Sequence, residues 1–141
     1  MARTDSLEVA STLHRAAIRL LRAVRVADNE TGISAPKLSA LSVLTFGGPS
    51  SLTALARTEQ VTAATMSKLV SDLEAAGLVA KRADREDKRG LRIEVTSKGR
   101  ALMEEGRKRR LALLSKRLAK LTREDRAQLA DASEIMMRLA E

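Results

Sequence analysis

Residues 51–99 constrain the fold more than any other part of this chain. They read SLTALARTEQVTAATMSKLVSDLEAAG, then LVAKRADREDKRGLRIEVTSKG. Leu52, Leu55 and Ala56 predict a short helix with an inward face. Met66, Leu69, Val70, Leu73 and Ala76 recur at spacings of three and four and predict a second, with Val61 filling the turn between them. Gly77 is placed to end that second helix as a C′ glycine. Beyond it, Leu91, Ile93 and Val95 alternate with Arg92, Glu94 and Thr96, the period-two pattern of a half-buried strand. Paired with Leu78–Arg82, that strand makes a two-stranded ribbon whose tip is ADREDKRG. Two short helices followed by such a hairpin read as a winged helix-turn-helix, a device that sets one helix in a DNA groove and a basic loop beside it.

The flanking segments are helical. In residues 6–29, Leu7, Ala10, Leu13, Ala17, Leu20, Leu21 and Val24 follow a helical period, with Arg15, Arg19, Arg22 and Arg25 on another face; the ordinary reading of that arginine row is a solvated surface. Residues 34–46 predict a helix with Ser34 as N-cap, Pro36 in its first turn, and Leu38, Leu41, Leu44 and Phe46 as core material. The GGPSS turn follows, with Ser50 or Ser51 available to cap the next helix. Thr96 and Ser97 open a long helix to about Leu121, seamed by Leu111, Leu114, Leu118 and Leu121, with Gly106 as a place for a bend. Thr122 begins T-R-E-D, a variant capping box, and Leu129, Ala132, Met136 and Leu139 stripe the last helix. The expected class is mainly α (α+β), a single domain over 1–141. Residues 34–96 would form the winged lobe, and 1–30 and 97–141 a helical dimerisation region. Amphipathic helices this long cannot all be buried in one 141-residue globule, so a second copy of the chain is expected against the terminal helices.

Charge supports a polyanionic partner and says where it binds. The net charge is +8, which favours nucleic acid. It amounts to +3 over residues 81–92, +7 over 97–120 and −2 over 122–141, so the excess lies on and just after the hairpin. The chain has no cysteine and one histidine. That leaves no disulfide framework, no thiolate chemistry and almost nothing from which to build a transition-metal site. His14 has no nucleophile beside it and Gly47-Gly48-Pro49 is no phosphate loop, so no enzyme, catalytic residue, metal or cofactor is expected. The first residues lack a secretory apolar core, and the uncharged run 38–56 is broken by Gly47, Gly48 and Pro49. The reading is a cytoplasmic protein with no membrane partner.

The face of the second helix opposite its apolar stripe carries Thr62, Ala63, Thr65, Ser67, Lys68 and Ser71. Short hydroxyl and methyl groups permit close approach to base edges and phosphates, and Lys68 can reach guanine or phosphate. Arg85, Lys88 and Arg89 are the wing's candidate DNA contacts. Arg85 is the first choice for the minor groove. Asp84 and Asp87 can pin the backbone of the tip.

These elements, in this order, resemble the multiple antibiotic resistance regulator (MarR) family. The resemblance rests on LTALARTEQVTAATMSKLVSDLEAAGLVAKRADREDKRGLRIEVTSKGRALME and LTREDRAQL and covers essentially the whole chain. It implies a homodimeric transcriptional repressor on an inverted-repeat DNA operator, often released by a small ligand. It places Thr65, Ser67 and Lys68 on the recognition helix and Arg85 and Arg89 on the wing. The chain departs from relatives with aromatic-walled pockets: it has no Tyr or Trp and only Phe46, and without cysteine it cannot follow the thiol-oxidising branch. A ligand site, if present, is expected from Leu13, Ala17, Leu41, Phe46, Leu102 and Met103, suited to an aliphatic or flexible apolar compound. Two other readings stay open at this point: an architectural protein binding DNA with little sequence preference, and a winged helix used for protein or RNA contacts.

Overall fold

A computed structural model describes residues 5–84, 86 and 90–141. The elements run α1 (Ser6–Arg25), a 3-10 segment (Val26–Thr31), α2 (Ala35–Gly47), β1 (Ser50–Ser51), α3 (Leu52–Thr58), α4 (Ala63–Ala75), β2 (Val79–Ala83), β3 (Leu91–Val95), α5 (Ser97–Leu118) and α6 (Arg123–Leu139). They form two compact units, residues 28–108 and residues 1–27 with 109–141. The winged unit thus takes in the first half of α5.

The winged unit is built on one apolar cluster. Leu41 and Leu44 of α2, Leu55 of α3, Met66, Val70 and Leu73 of α4, and Ile93 of β3 are fully buried, joined by Leu78, Val79 and Met103. A buried leucine or methionine at such a site is worth about 2–5 kcal/mol against alanine. Phe46, expected in this core, is 69% exposed. It follows Leu44 by two residues, about 200° around the helix, and so leaves the face that Leu41 and Leu44 share.

The sheet has three antiparallel strands in the order β1-β3-β2, with Ser50 opposite Ile93 and Val79 opposite Val95. The sequence reading had only the two-stranded ribbon, because a two-residue strand shows no period. Only the root of the ribbon is buried. Ile93 is 2% exposed, while Leu91, opposite Ala83 at the outer end, is 56% exposed although its alternation predicts burial.

Helix ends follow local chemistry. Ser51, Thr62 and Thr122 accept from the amides of Ala54, Thr65 and Asp125, each the hydroxyl N-cap that satisfies an orphan donor. Ser34 makes no side-chain cap bond, and Pro36 sits in the first turn of α2. Helix α5 is continuous through Gly106, which is buried.

In the helical unit the same amphipathic patterns meet little cover. Asp5 caps α1, where only Val24 is buried. Leu7, Ile18, Leu20 and Leu21 of α1 and Leu129, Ile135, Met136, Met137 and Leu139 of α6 are all exposed.

Candidate nucleic-acid interface

The site begins with how α4 is held. Helices α3 and α4 pack together, and α4 also packs on α2 and β2. Two ion pairs reinforce its inner flank, Lys37 to Asp72 at 3.3 Å and Lys81 to Glu74 at 3.7 Å. Lys81, one of the basic residues near the wing, is therefore engaged with α4. The turn between α3 and α4 is tight. Gln60 adopts φ 56°, its amide donates to the Arg57 carbonyl, and the Val61 amide donates to the Ala56 carbonyl. That is a Schellman ending with glutamine where glycine is usual. It leaves Val61 at the surface, 36% exposed, instead of inside the turn.

With Met66, Val70 and Leu73 buried, the opposite side of α4 is free. Thr62, Ala63, Thr65, Ser67, Lys68 and Ser71 are all exposed. The structure brings these six candidates together over the N-cap and the first nine residues of the helix. Thr62 caps the helix, and its hydroxyl donates to the Thr65 hydroxyl at 2.9 Å. Thr65 can therefore direct its own O–H outward. The helix N-terminus adds a positive dipole end to this face, favourable for phosphate. Ala76, expected in the buried stripe, is exposed. The helix ends there, and Leu78 takes the next place in the core.

Beside α4 the ribbon continues past its strands. The Asp84 amide donates to the Gly90 carbonyl at 2.9 Å, and the Asp84 carboxylate accepts from the Glu86 amide at 3.0 Å. Asp84 thus fixes the entry to the tip as expected. On the ribbon's outer face Arg82 pairs with Glu94, and Arg92 lies directly opposite Arg82. The wing candidates Arg85, Lys88 and Arg89, with Asp87, lie outside the described residues.

Of the expected ligand-site residues, Leu41 and Met103 belong to the winged core and Leu102 packs half-buried against it. Phe46 is exposed on that unit. In the helical unit Ala17 is exposed, while Leu13 lines a recess of about 420 Å³ along α1 with Glu8, Val9 and Thr12. No three potential metal ligands converge among the described residues, and no described helix is long and apolar enough to cross a membrane.

An inward-anchored α4 with a short-chain polar outer face, followed by an antiparallel ribbon, is the architecture of a known group of regulators. The family profile described as "MarR family" matches residues 31–90. An uncharacterised HTH-type transcriptional regulator of Mycobacterium bovis, Mb0904, is 32% identical over 133 residues, covering 94% of this chain and 93% of that protein. The chain belongs to the MarR family. Its fold is shared with the transcriptional regulator Tm0710 of Thermotoga maritima, at a TM-score of 0.83 and 22% identity over 95% of this chain and 94% of that one. A MarR family protein of Bacillus stearothermophilus gives 0.79 at 23% identity, over 96% and 95%. As a MarR-family member the chain is a DNA-binding transcriptional regulator, and its relatives and fold neighbours are regulators too, not enzymes.

Proposed function

We propose that this MarR-family regulator is a homodimeric repressor that reads a pseudopalindromic operator in a sequence-specific way. The observation that carries the reading is the outer face of α4: six small or cationic side chains exposed on a helix whose other side is locked in a core. Residues held this firmly can discriminate base edges, whereas charge alone gives affinity without sequence preference. Thr65 and Lys68 are the leading base contacts, with Thr62, Ala63, Ser67 and Ser71 around them. Arg85, Lys88 and Arg89 supply wing contacts to backbone and minor groove. The apolar residues left uncovered on α1 and α6 support a second copy as their cover.

Selecting bound duplexes from a random pool tests this directly. The expected product is an inverted repeat with half-site centres roughly 10 bp apart. A single asymmetric element would remove the dimeric reading, and no enrichment would favour the architectural one. Within a selected site, Lys68→Ala should change preference at one position per half-site by about 1–3 kcal/mol. Arg85→Ala should weaken all sequences alike and lower the salt slope by about one unit.

Release by a small apolar ligand completes the proposal. Its accessible candidate contacts are Leu13 and Ala17 on the helical unit or, alternatively, Phe46 and Leu102 on the winged unit; Leu41 and Met103 could join the latter only by opening the winged core. Such a ligand must prefer the DNA-incompetent form by about 1–3 kcal/mol. Titrating aliphatic compounds into the protein–operator complex, with and without Phe46→Ala and Leu13→Ala, is the check. Release that survives both substitutions would place the ligand elsewhere.

A further inference from the structure

The far end of α4, which no base-reading argument uses, is tied to the entrance of α5 by several hydrogen bonds. The helix closes with a Schellman pattern: the Leu78 amide donates to the Leu73 carbonyl and the Gly77 amide to the Glu74 carbonyl, both at 2.9 Å, with Gly77 at φ 75°. The carbonyls of Ala76, Gly77 and Leu78 follow the helix end and are not reached by these two bonds. Each accepts a bond from the entrance of α5. The Lys98 ammonium donates to the Ala76 carbonyl at 3.0 Å, the Thr96 hydroxyl to the Gly77 carbonyl at 2.6 Å, and the Thr96 amide to the Leu78 carbonyl at 3.0 Å.

The same Thr96 oxygen accepts the Gly99 amide at 3.1 Å and so caps α5 while holding α4. A Cβ on Gly99 would stand 2.2 Å from the Leu78 carbonyl oxygen and 2.8 Å from a Val95 methyl, so only glycine lets the two backbones approach this closely. Lys98 also sets a cation at the negative end of the α4 dipole.

We infer that Thr96, Lys98 and Gly99 form a clamp that fixes the direction of the recognition helix to the first turn of α5. Thr96 and Lys98 are thus positioning residues for DNA reading, and neither needs to touch DNA. The clamp makes α4 and the start of α5 one rigid piece within the winged unit. Its consequence for DNA rests on the two-fold reading proposed above; the clamp itself does not.

The test exploits the absence of cysteine. Ala64→Cys and Glu105→Cys supply the only two labelling sites, and spin-labelled chains are diluted with unlabelled protein so that one chain is read. The distance distribution should be narrow in this background and broaden when Thr96→Val and Lys98→Met are added, both near the original side-chain volume. Thr96→Ser alone should keep it narrow. An unchanged width in the double variant overturns the clamp. If that variant does not fold, Lys98→Met alone, which removes only an exposed contact, carries the same comparison. A second arm uses unlabelled protein and selected operators with the spacing altered by one base pair. The double variant should lose at least about fivefold of the wild type's discrimination between spacings. Broadening in the first arm while the wild type shows no spacing preference keeps the clamp and removes the two-fold operator. Lost affinity with unchanged width and unchanged spacing discrimination would mean a merely stabilising role.

Discussion

The winged unit and the helical unit are written in the same apolar code and end in opposite states. In residues 28–108, apolar residues at helical and strand spacing converge on one cluster with seven large side chains fully buried. In residues 1–27 and 109–141, equally regular stripes leave Val24 as the single buried hydrophobic among the described residues. Periodicity announces that a face wants cover; only topology decides whether the chain itself supplies it. The winged unit has α2, α3, α4, the start of α5 and a sheet folding onto one cluster. The terminal helices have a stripe each and, within one chain, too little to place against it.

The sharpest way to break this contrast is to charge the uncovered stripes. Leu129→Glu with Met136→Glu should abolish assembly and specific DNA binding while the winged unit keeps its fold. Light scattering reads the mass and circular dichroism the fold. A wild-type mass of one chain at concentrations where DNA still binds would end the two-copy reading of the helical unit.

Next in size is the winged core. Leu41→Ala should cost about 2–5 kcal/mol in denaturant unfolding and lower the midpoint at every protein concentration. The wild-type midpoint should itself rise with protein concentration, because assembly stabilises the folded form by mass action. A midpoint independent of concentration would say that the helical unit is stable uncovered.

Smaller effects compare the caps of the two units. Ser51→Ala in the winged unit and Thr122→Ala in the helical unit should each cost about 1 kcal/mol. The first should appear in the stability of the winged fold, and the second in helicity and assembly. Arg126, whose guanidinium donates to the Leu118 and Leu121 carbonyls, shares the load at the α5–α6 turn, so Thr122→Ala should be the milder. The smallest expected effect is a gain: Gln60→Gly relieves a left-handed glutamine, worth about 1–2 kcal/mol, less the extra freedom glycine has when unfolded, about 0.5–1 kcal/mol. A melting temperature lowered by this change would mean the Gln60 side chain is needed.

What could be read in the sequence follows the same division. The stripe Met66, Leu69, Val70 and Leu73, the caps Ser51 and Thr122, and the glycine stop at Gly77 were legible because each is a local rule with a fixed spacing. The cap at Thr62 was not read, that residue having been placed only on the outer face. The six candidates on α4 followed, since a buried stripe dictates what faces away. Ala76 and Leu91 were misjudged because each lies at the end of an element, where the period still holds but the core has run out. Phe46 falls about 200° from Leu44 and so leaves the buried face, and Val61 sits in a turn that the left-handed Gln60 directs to the surface. Strand β1 was missed because two residues carry no pattern, and its partner β3 is more than forty positions away. Of the clamp, Thr96 was seen only as a cap for α5, beside Ser97, and Lys98 was given no role. Nothing local ties Lys98 to Ala76, 22 residues earlier.

Helix α5 belongs to both units, with the division falling between Lys108 and Arg109. A helix carries phase as well as length. One residue inserted in the middle of α5 would turn the side chains of its second half, Leu111 and Leu114 among them, by about 100° around the helix and advance them by about 1.5 Å, whereas seven would return them to within roughly 20°. Length variation in this chain should therefore be tolerated more readily at Gly47–Pro49 than in the middle of α5, where only near-whole turns keep the phase of its side chains.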